Sequence, residues 1–341
     1  MLPVGMPSVQ STSVTAAPLS EAVADSCVAS QSWGHRGRRR ALLHLLVAVI
    51  YLVVVARTMG LEPLPLVVAV ALCLRGILPG SLNRIAALAT PFAAFAAFYH
   101  SLGYLKGRVT ANGVHVFWPY WFDKVAFGVG DLGSRWSCNE VFAIHHCPAA
   151  DFVTGVAYLS FLPCVILFAT YLVLHDRSEA GLSRARRFCW TFFAVNVAGF
   201  GTYIFFPVAP PWYVAQRGFG AVDPLAKASA AALARWDRLV GIPYFENFYA
   251  QATEVYGAMP SMHCAYPMIL LLFARELKRP RLFIALVAYE LLMCFSAVYL
   301  QHHYVTDVIA GIAYASIIYA IGRGPLSKAL GAVARFPTAE Q

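Results

Sequence analysis

Charge is what this chain has least of. Only 13% of its 341 residues are Asp, Glu, Lys or Arg, against 59% that are hydrophobic. A water-soluble domain of that length needs a far more charged surface, so a soluble fold is excluded and a polytopic membrane protein is implied, in keeping with a mean hydropathy of +0.62. The chain also lacks any N-x-S/T triplet, which leans toward a bacterial source. Its eight cysteines show no metal-ligand spacing. Cys73, Cys164, Cys189, Cys264 and Cys294 fall in or beside apolar runs and read as packing residues. Cys138 and Cys147 share a loop and could pair if that compartment is oxidising. There is no internal repeat. Residues 1–34, rich in Ser, Ala and Val, have neither the basic start nor the apolar stretch of a signal peptide, and read as a disordered cytoplasmic tail.

What is present in quantity is apolar runs. Eight lie near 41–58, 63–80, 84–104, 152–174, 188–207, 260–275, 282–300 and 304–322, a length that fits helices crossing a core of about 30 Å. Glu62, Pro63, Pro65 and Pro79 interrupt or crowd the second, so seven or eight spans are expected in an all-α membrane bundle. Basic residues orient it. Arg36, Arg38, Arg39 and Arg40 precede the first run, and Arg177, Arg184, Arg186 and Arg187 follow the fourth. Arg275, Lys278, Arg279 and Arg281 flank the loop after the sixth, and Arg323, Lys328 and Arg335 follow the last. With eight spans all four clusters share one side, which the positive-inside rule makes cytoplasmic. They account for the net charge of +9 without a nucleic-acid partner.

Two segments place histidine at the outward mouth of an apolar run: GAMPSMHCAYP (Gly257 to Pro267) and SAVYLQHHYVTDVIAG (Ser296 to Gly311). In the first, Ser261 is placed to cap a helix whose first turn carries His263, and a helix start with unpaired N–H groups suits a phosphate. In the second, a helix that includes residue 303 would put His303 and Asp307 on one face, with the carboxylate orienting the ring. His302 lies about 100° round that helix and is the poorer candidate. Two histidines and an aspartate at a membrane surface can move a phosphoryl group without metal, so neither a cofactor nor a metal is expected. Glu290, midway along the seventh run, must pair or line a cavity. His145 and His146 beside Cys147 find no further ligand spacing and read as loop residues. Trp212 and Tyr213, in FFPVAPPWY (Phe205 to Tyr213), suit a headgroup interface.

PSMH and S-A-x5-H-x3-D resemble the second and third motifs of the type-2 phosphatidic acid phosphatase superfamily. The resemblance implies a six-helix core, with His303 as nucleophile, Asp307 as its orienter and His263 as acid. That superfamily's third motif has Arg where this chain has Ala297, and its first motif, Lys-x6-Arg-Pro, is absent. Both absences remove phosphate-binding cations. Lys124, Arg217, Lys227, Arg235 and Arg238, in the outer loops, are the candidates to replace them. FFPVAPPWY, VYLQHHYVTDVIAG and WFDKVAFG (Trp121 to Gly128) are similar to the branch containing inositol phosphorylceramide synthases. That branch implies transfer of an inositol phosphate headgroup from a phosphatidylinositol-like donor to a ceramide-like acceptor. Ser261, Trp212, Tyr213 and Lys124 would bind substrate. A lipid phosphatase using water is the alternative, and a non-catalytic membrane protein a third reading. The expected division is a tail at 1–34, N-terminal spans at 35–110, the catalytic membrane domain at 111–322 and a tail at 323–341. The site would face the periplasm of a bacterium or, alternatively, the Golgi lumen.

Overall fold

The computed structural model describes residues 19–324, apart from 59–62, 79, 112, 132 and 253–254. The apolar runs become helices, and prolines and serines mark where helices begin. The first three are α1 (Leu19–Thr58), α2 (Pro63–Ile77) and α3 (Gly80–Ala111). Two short ones follow, α4 (Phe117–Phe127) and α5 (Cys138–Ile144), then α6 (Pro148–Leu159), α7 (Phe161–His175) and α8 (Glu179–Phe205). The long connection after α8 holds α9 (Pro211–Arg217), α10 (Leu233–Val240) and α11 (Tyr244–Ala250). The chain closes with α12 (Met262–Glu276), α13 (Pro280–Tyr299) and α14 (Val305–Arg323). Ser137 and Ser178 cap α5 and α8 through their hydroxyls, and Pro148, Pro211 and Pro280 sit at the starts of α6, α9 and α13.

Each of the eight apolar runs is largely helical, the fourth being divided between α6 and α7. Among the described residues, four stretches are long and apolar enough to cross a membrane alone: Gly37–Arg57, Glu179–Phe205, Pro280–Tyr299 and Val305–Arg323. The α6–α7 pair makes a fifth, bent by 49°. The break lies at Ser160, whose hydroxyl donates to the Ala157 carbonyl at 2.7 Å, and Pro163 withholds an N–H from the next turn. The helices of the second and sixth runs have 15 residues each, shorter than a usual span.

Six helices, α6, α7, α8, α12, α13 and α14, form the core of the bundle. Val165 and Leu172 of α7, Phe188 and Phe192 of α8 and Ile269 and Phe273 of α12 are buried together. A second cluster joins Leu233 and Trp236 of α10 to Tyr158, Met293, Ala297 and Leu300, directly beneath the turn between α13 and α14. Gly155 lets α6 lie flat against the Trp236 ring, which a Cβ there would penetrate. At the opposite end of α12, Glu276 accepts from Arg187 and from Tyr319 (2.8 Å) and lies 3.7 Å from Arg184 and 4.0 Å from Arg323.

One expectation changes. α1 starts at Leu19, so the part of the expected disordered tail from 19 to 34 is helical. No proline interrupts residues 19–62, and helix propagates readily from an established nucleus into Ala-, Leu- and Glu-containing sequence. The rest of that tail, and the C-terminal one beyond 324, lie outside the described residues. Cys138 and Cys147, whose pairing the sequence left open, are both free: Cys138 begins α5, its thiol turned to the Phe127 carbonyl at 3.3 Å, and Cys147 is the N-cap residue of α6.

Candidate active site

The second histidine segment folds as a turn, not as helix. Gln301 takes a φ of 68°, which reverses the chain after Leu300. The backbone N–H groups of His302 and His303 both return to the Ala297 carbonyl, at 3.3 and 3.1 Å. Asn139 of α5 clasps this turn: its Nδ2 donates to the carbonyls of Val298 (2.9 Å) and His303 (3.1 Å). Gln301 Nε2 donates in return to the Asn139 carbonyl at 2.8 Å. The Trp212 backbone N–H donates to the Gln301 carbonyl at 3.1 Å, so the Pro-Pro-Trp-Tyr segment braces the turn from the other side. Two carboxylates then cap α14. Asp307 Oδ2 accepts from the Tyr304 N–H at 2.8 Å, and Asp123 Oδ1 accepts from both the N–H and the hydroxyl of Thr306 at 2.9 Å.

The start of α12 is pressed against this turn. The Ser261 N–H donates to the Asp307 carbonyl at 2.9 Å. Gly311 allows the approach, because a Cβ there would collide with the Ser261 carbonyl. The result is that His263 Nδ1 stands 3.3 Å from His303 Nε2. His303 Nδ1 lies 2.8 Å from the Ala258 carbonyl; a carbonyl only accepts, so the proton is on Nδ1 and Nε2 keeps its lone pair. That carbonyl is itself fixed by backbone pairing. His115 bridges Val208, and Val208 bridges Gly257, with the Ala258 N–H donating to the Val208 carbonyl at 3.2 Å. The α6–α7 bend aims two aromatics at His263. The Tyr158 ring stacks on it at 3.8 Å with its hydroxyl 3.0 Å from Nδ1, and the Phe161 ring lies 4.4 Å away.

Both histidines line a cavity of about 360 Å³ with Phe95, Phe200, Trp212, Tyr249 and Met262 among its walls. Burial pushes His303 down to about 4 and His302 down to about 3, so both rings are neutral at pH 7. A neutral imidazole with a free Nε2 lone pair is the form that attacks phosphorus. The described lining contains no lysine, arginine or carboxylate.

The residues singled out from sequence meet different fates. His263 and His303 come together and Asp307 is beside them, but Asp307 does not hydrogen-bond the ring: Oδ2 is 3.9 Å from His303 Nδ1. The reason is that residue 303 precedes the N-cap, Tyr304, so helical i,i+4 geometry does not apply and the carboxylate caps Tyr304. His302 donates to the Ala230 carbonyl at 3.2 Å and stacks between Tyr158 and Tyr249. Ser261 occupies the N-cap position without capping; it is fully buried, its hydroxyl 3.5 Å from Cys264 Sγ. Trp212 lines the cavity, whereas Tyr213 packs against Tyr256 and accepts from the Asp223 N–H at 3.0 Å. Lys124 is elsewhere, bonded to Tyr120 (2.7 Å) and Glu140 (3.2 Å). Arg217 pairs with Asp223 and Arg235 with Asp151, both at 2.7 Å, and Lys227 and Arg238 are exposed. None of these five cations lines the cavity. Glu290 is buried in α13, 3.5 Å from Cys294 Sγ. His146 lies 3.8 Å from Asp151. Sequence reasoning missed Asn139, Tyr158 and the Ala258 carbonyl. Ser160 with Pro163 was the one signal that a break would turn Tyr158 inward.

A family model described as the PAP2 superfamily matches residues 132–321, more than half of the chain and both histidine segments. The chain belongs to the PAP2 superfamily. This PAP2 protein is 32% identical over 282 residues to a phosphoinositol dihydroceramide synthase of Bacteroides thetaiotaomicron, covering 82% of this chain and 90% of that protein. It is also 32% identical over 129 residues to an inositol phosphorylceramide synthase catalytic subunit of Schizosaccharomyces pombe, 38% of this chain and 30% of that protein. With an inositol phosphorylceramide synthase of Candida albicans the identity is 32% over 126 residues, 37% of this chain and 26% of that protein. No solved structure matches it. It is a multi-pass membrane enzyme, a lipid phosphotransferase of the inositol phosphorylceramide synthase-like branch of the superfamily.

Proposed function

We propose that this PAP2 enzyme moves an inositol phosphate headgroup from a glycerophospholipid to the hydroxyl of a ceramide-like lipid, through a phosphohistidine on His303. The observation that carries the reading is the 3.3 Å approach of His263 Nδ1 to a His303 Nε2 that carries no proton. In the first step Nε2 gives its lone pair to phosphorus, and the P–O bond to diacylglycerol breaks. The departing oxygen takes a proton from His263, which the anionic headgroup has charged. In the second step neutral His263 takes the proton of the acceptor hydroxyl, that oxygen attacks phosphorus, and the P–N electron pair returns to Nε2. Asp307, at 3.9 Å, offsets the positive charge of the phosphorylated ring. The aromatic cavity walls suit acyl chains and exclude the water that would turn transfer into hydrolysis.

Residues 111–322 are taken as the catalytic membrane domain, with 35–110 as additional spans. The arginine clusters argue that the histidine end is extracytoplasmic, in a bacterial cell membrane in preference to a Golgi membrane, so that donor and acceptor enter sideways from the outer leaflet. The test is to incubate purified protein in detergent with labelled phosphatidylinositol, with and without ceramide, under chelation. Ceramide-dependent labelled sphingolipid is expected. Free inositol phosphate alone would assign a hydrolase, and absence of turnover would overturn the reading.

A further inference from the structure

We infer that Tyr158 is a further catalytic residue, whose hydroxyl donates the hydrogen bond that holds a non-bridging oxygen of the phosphoryl group carried by His303. This rests on the phosphohistidine reading. The need for such a donor follows from the cavity. A phosphodiester brings a negative charge into a site whose described lining has no lysine or arginine, and a buried anion without donors is costly. Neutral donors must serve. Several polar hydrogens of the lining are already committed. Tyr203 donates to the Pro260 carbonyl at 2.7 Å, Tyr266 to Asn196 Oδ1, and His302 to the Ala230 carbonyl. Tyr158 instead has its oxygen against the histidine pair.

The proton positions show how the hydroxyl becomes available. His303 Nδ1 gives its proton to the Ala258 carbonyl, so Nε2 is an acceptor and the proton between the two rings belongs to His263 Nδ1. The Tyr158 oxygen lies 3.0 Å from that same nitrogen and therefore faces an N–H. Its own hydrogen therefore points away from His263. When a phosphoryl group lies between Nε2 and Nδ1, one of its oxygens enters the space the Tyr158 oxygen borders. Rotation about the phenol C–O bond then turns the O–H to that oxygen while the ring stays where it is. The ring is held by its 3.8 Å stack on His263, by burial, and by the helix break at Ser160. No proton leaves the phenol: it stabilises charge as the P–O and P–N bonds exchange, the role of an oxyanion donor.

The experiment uses the full-length enzyme in detergent with phosphatidylinositol and its two phosphorothioate diastereomers, in which sulfur replaces one non-bridging oxygen. Tyr158→Phe keeps the stacked ring and should lower kcat by about 100-fold, with the KM for lipid close to that of wild type. Sulfur is a poor acceptor, so wild type should transfer one diastereomer more slowly than the oxygen lipid. That ratio should fall toward unity in Tyr158→Phe. A wild-type kcat, or a reduced kcat with the sulfur discrimination intact, would assign Tyr158 to packing and overturn the proposal. Each ratio is taken on one preparation, so an inactive fraction cancels. Should Tyr158→Phe yield no folded enzyme, 3-fluorotyrosine at 158, a stronger donor on the same ring, should increase the discrimination, and an unchanged ratio overturns the proposal. Failure of the underlying reading is distinguishable, because wild type would then form no acid-labile phosphoryl bond to His303 whatever Tyr158 does.

Discussion

At one end of α12, Glu276 gathers Arg184 and Arg187 from α8 and Arg323 and Tyr319 from α14, in a cluster whose arginines stay partly open to solvent. At the other end, His263 meets His303 in a cavity whose described walls carry no formal charge. The same helix thus joins a region that keeps its ions by pairing them in water to one that keeps its polar groups neutral by burying them. Paired surface ions contribute little net stability, so substitutions there should be tolerated. Buried neutral donors and acceptors must each find a partner, so the histidine end is the one that a single atom can break.

The sharpest test of that contrast is His303→Ala, which should abolish transfer, a loss of about 10⁴-fold or more, while the purified protein still folds, with a melting temperature lowered because the Ala258 carbonyl loses its donor. His263→Ala should match it. Steady-state turnover near wild type in His303→Ala would move the nucleophile to His302. Asp307→Asn should be milder, about 100-fold in kcat, because the Ala258 carbonyl and not the carboxylate holds the ring; a loss equal to that of His303→Ala would show that the carboxylate bonds the ring during turnover. Asn139→Ala leaves two buried carbonyls unpaired and should cost about 1–3 kcal/mol for each, read as a lower melting temperature with about tenfold slower transfer.

Acidity should separate the two ends as well. Below about 6.5 the unfolded chain's histidines take up protons that the folded His303 and His302 refuse until about 4 and about 3. The stability these neutral rings contribute is complete above 6.5 and is lost as pH falls through that window. The melting temperature in detergent should therefore drop between pH 6.5 and 4, and less so in a His302→Gln, His303→Gln double variant; parallel curves would show that the rings are not the groups responsible. The smallest effect is expected at the arginine end. Glu276→Gln should change stability by about 1 kcal/mol or less and leave transfer unchanged, and a loss of transfer there would couple the two ends.

The apolar runs made the helices readable, because each crossing must satisfy its own backbone in a continuous helix. The two histidine segments were readable because chemistry and capping share residues there: Asp307 both caps α14 and neighbours His303. What stayed hidden depends on contacts remote in sequence. Asn139 clasps residues more than 150 positions later, and nothing in Ser-Cys-Asn-Glu announces it. Tyr158 looks like any aromatic in an apolar run until the break at Ser160 turns it toward His263. Lys124 appeared available as a phosphate cation because its ion-pair partner, Glu140, lies beyond a loop whose course the sequence does not give.

The tautomer of His303 is set by a main-chain oxygen, that of Ala258, held in turn by Val208 and His115 through main-chain bonds. Point mutation exchanges side chains and leaves peptide oxygens in place. A codon change at 258 therefore adds or removes bulk beside the lipid without erasing the acceptor that aims the nucleophile. Descendants of this gene are free to try different walls around different acceptors there while inheriting the same reactive nitrogen, and a comparison of sequences alone would record the changing walls and never the constant oxygen.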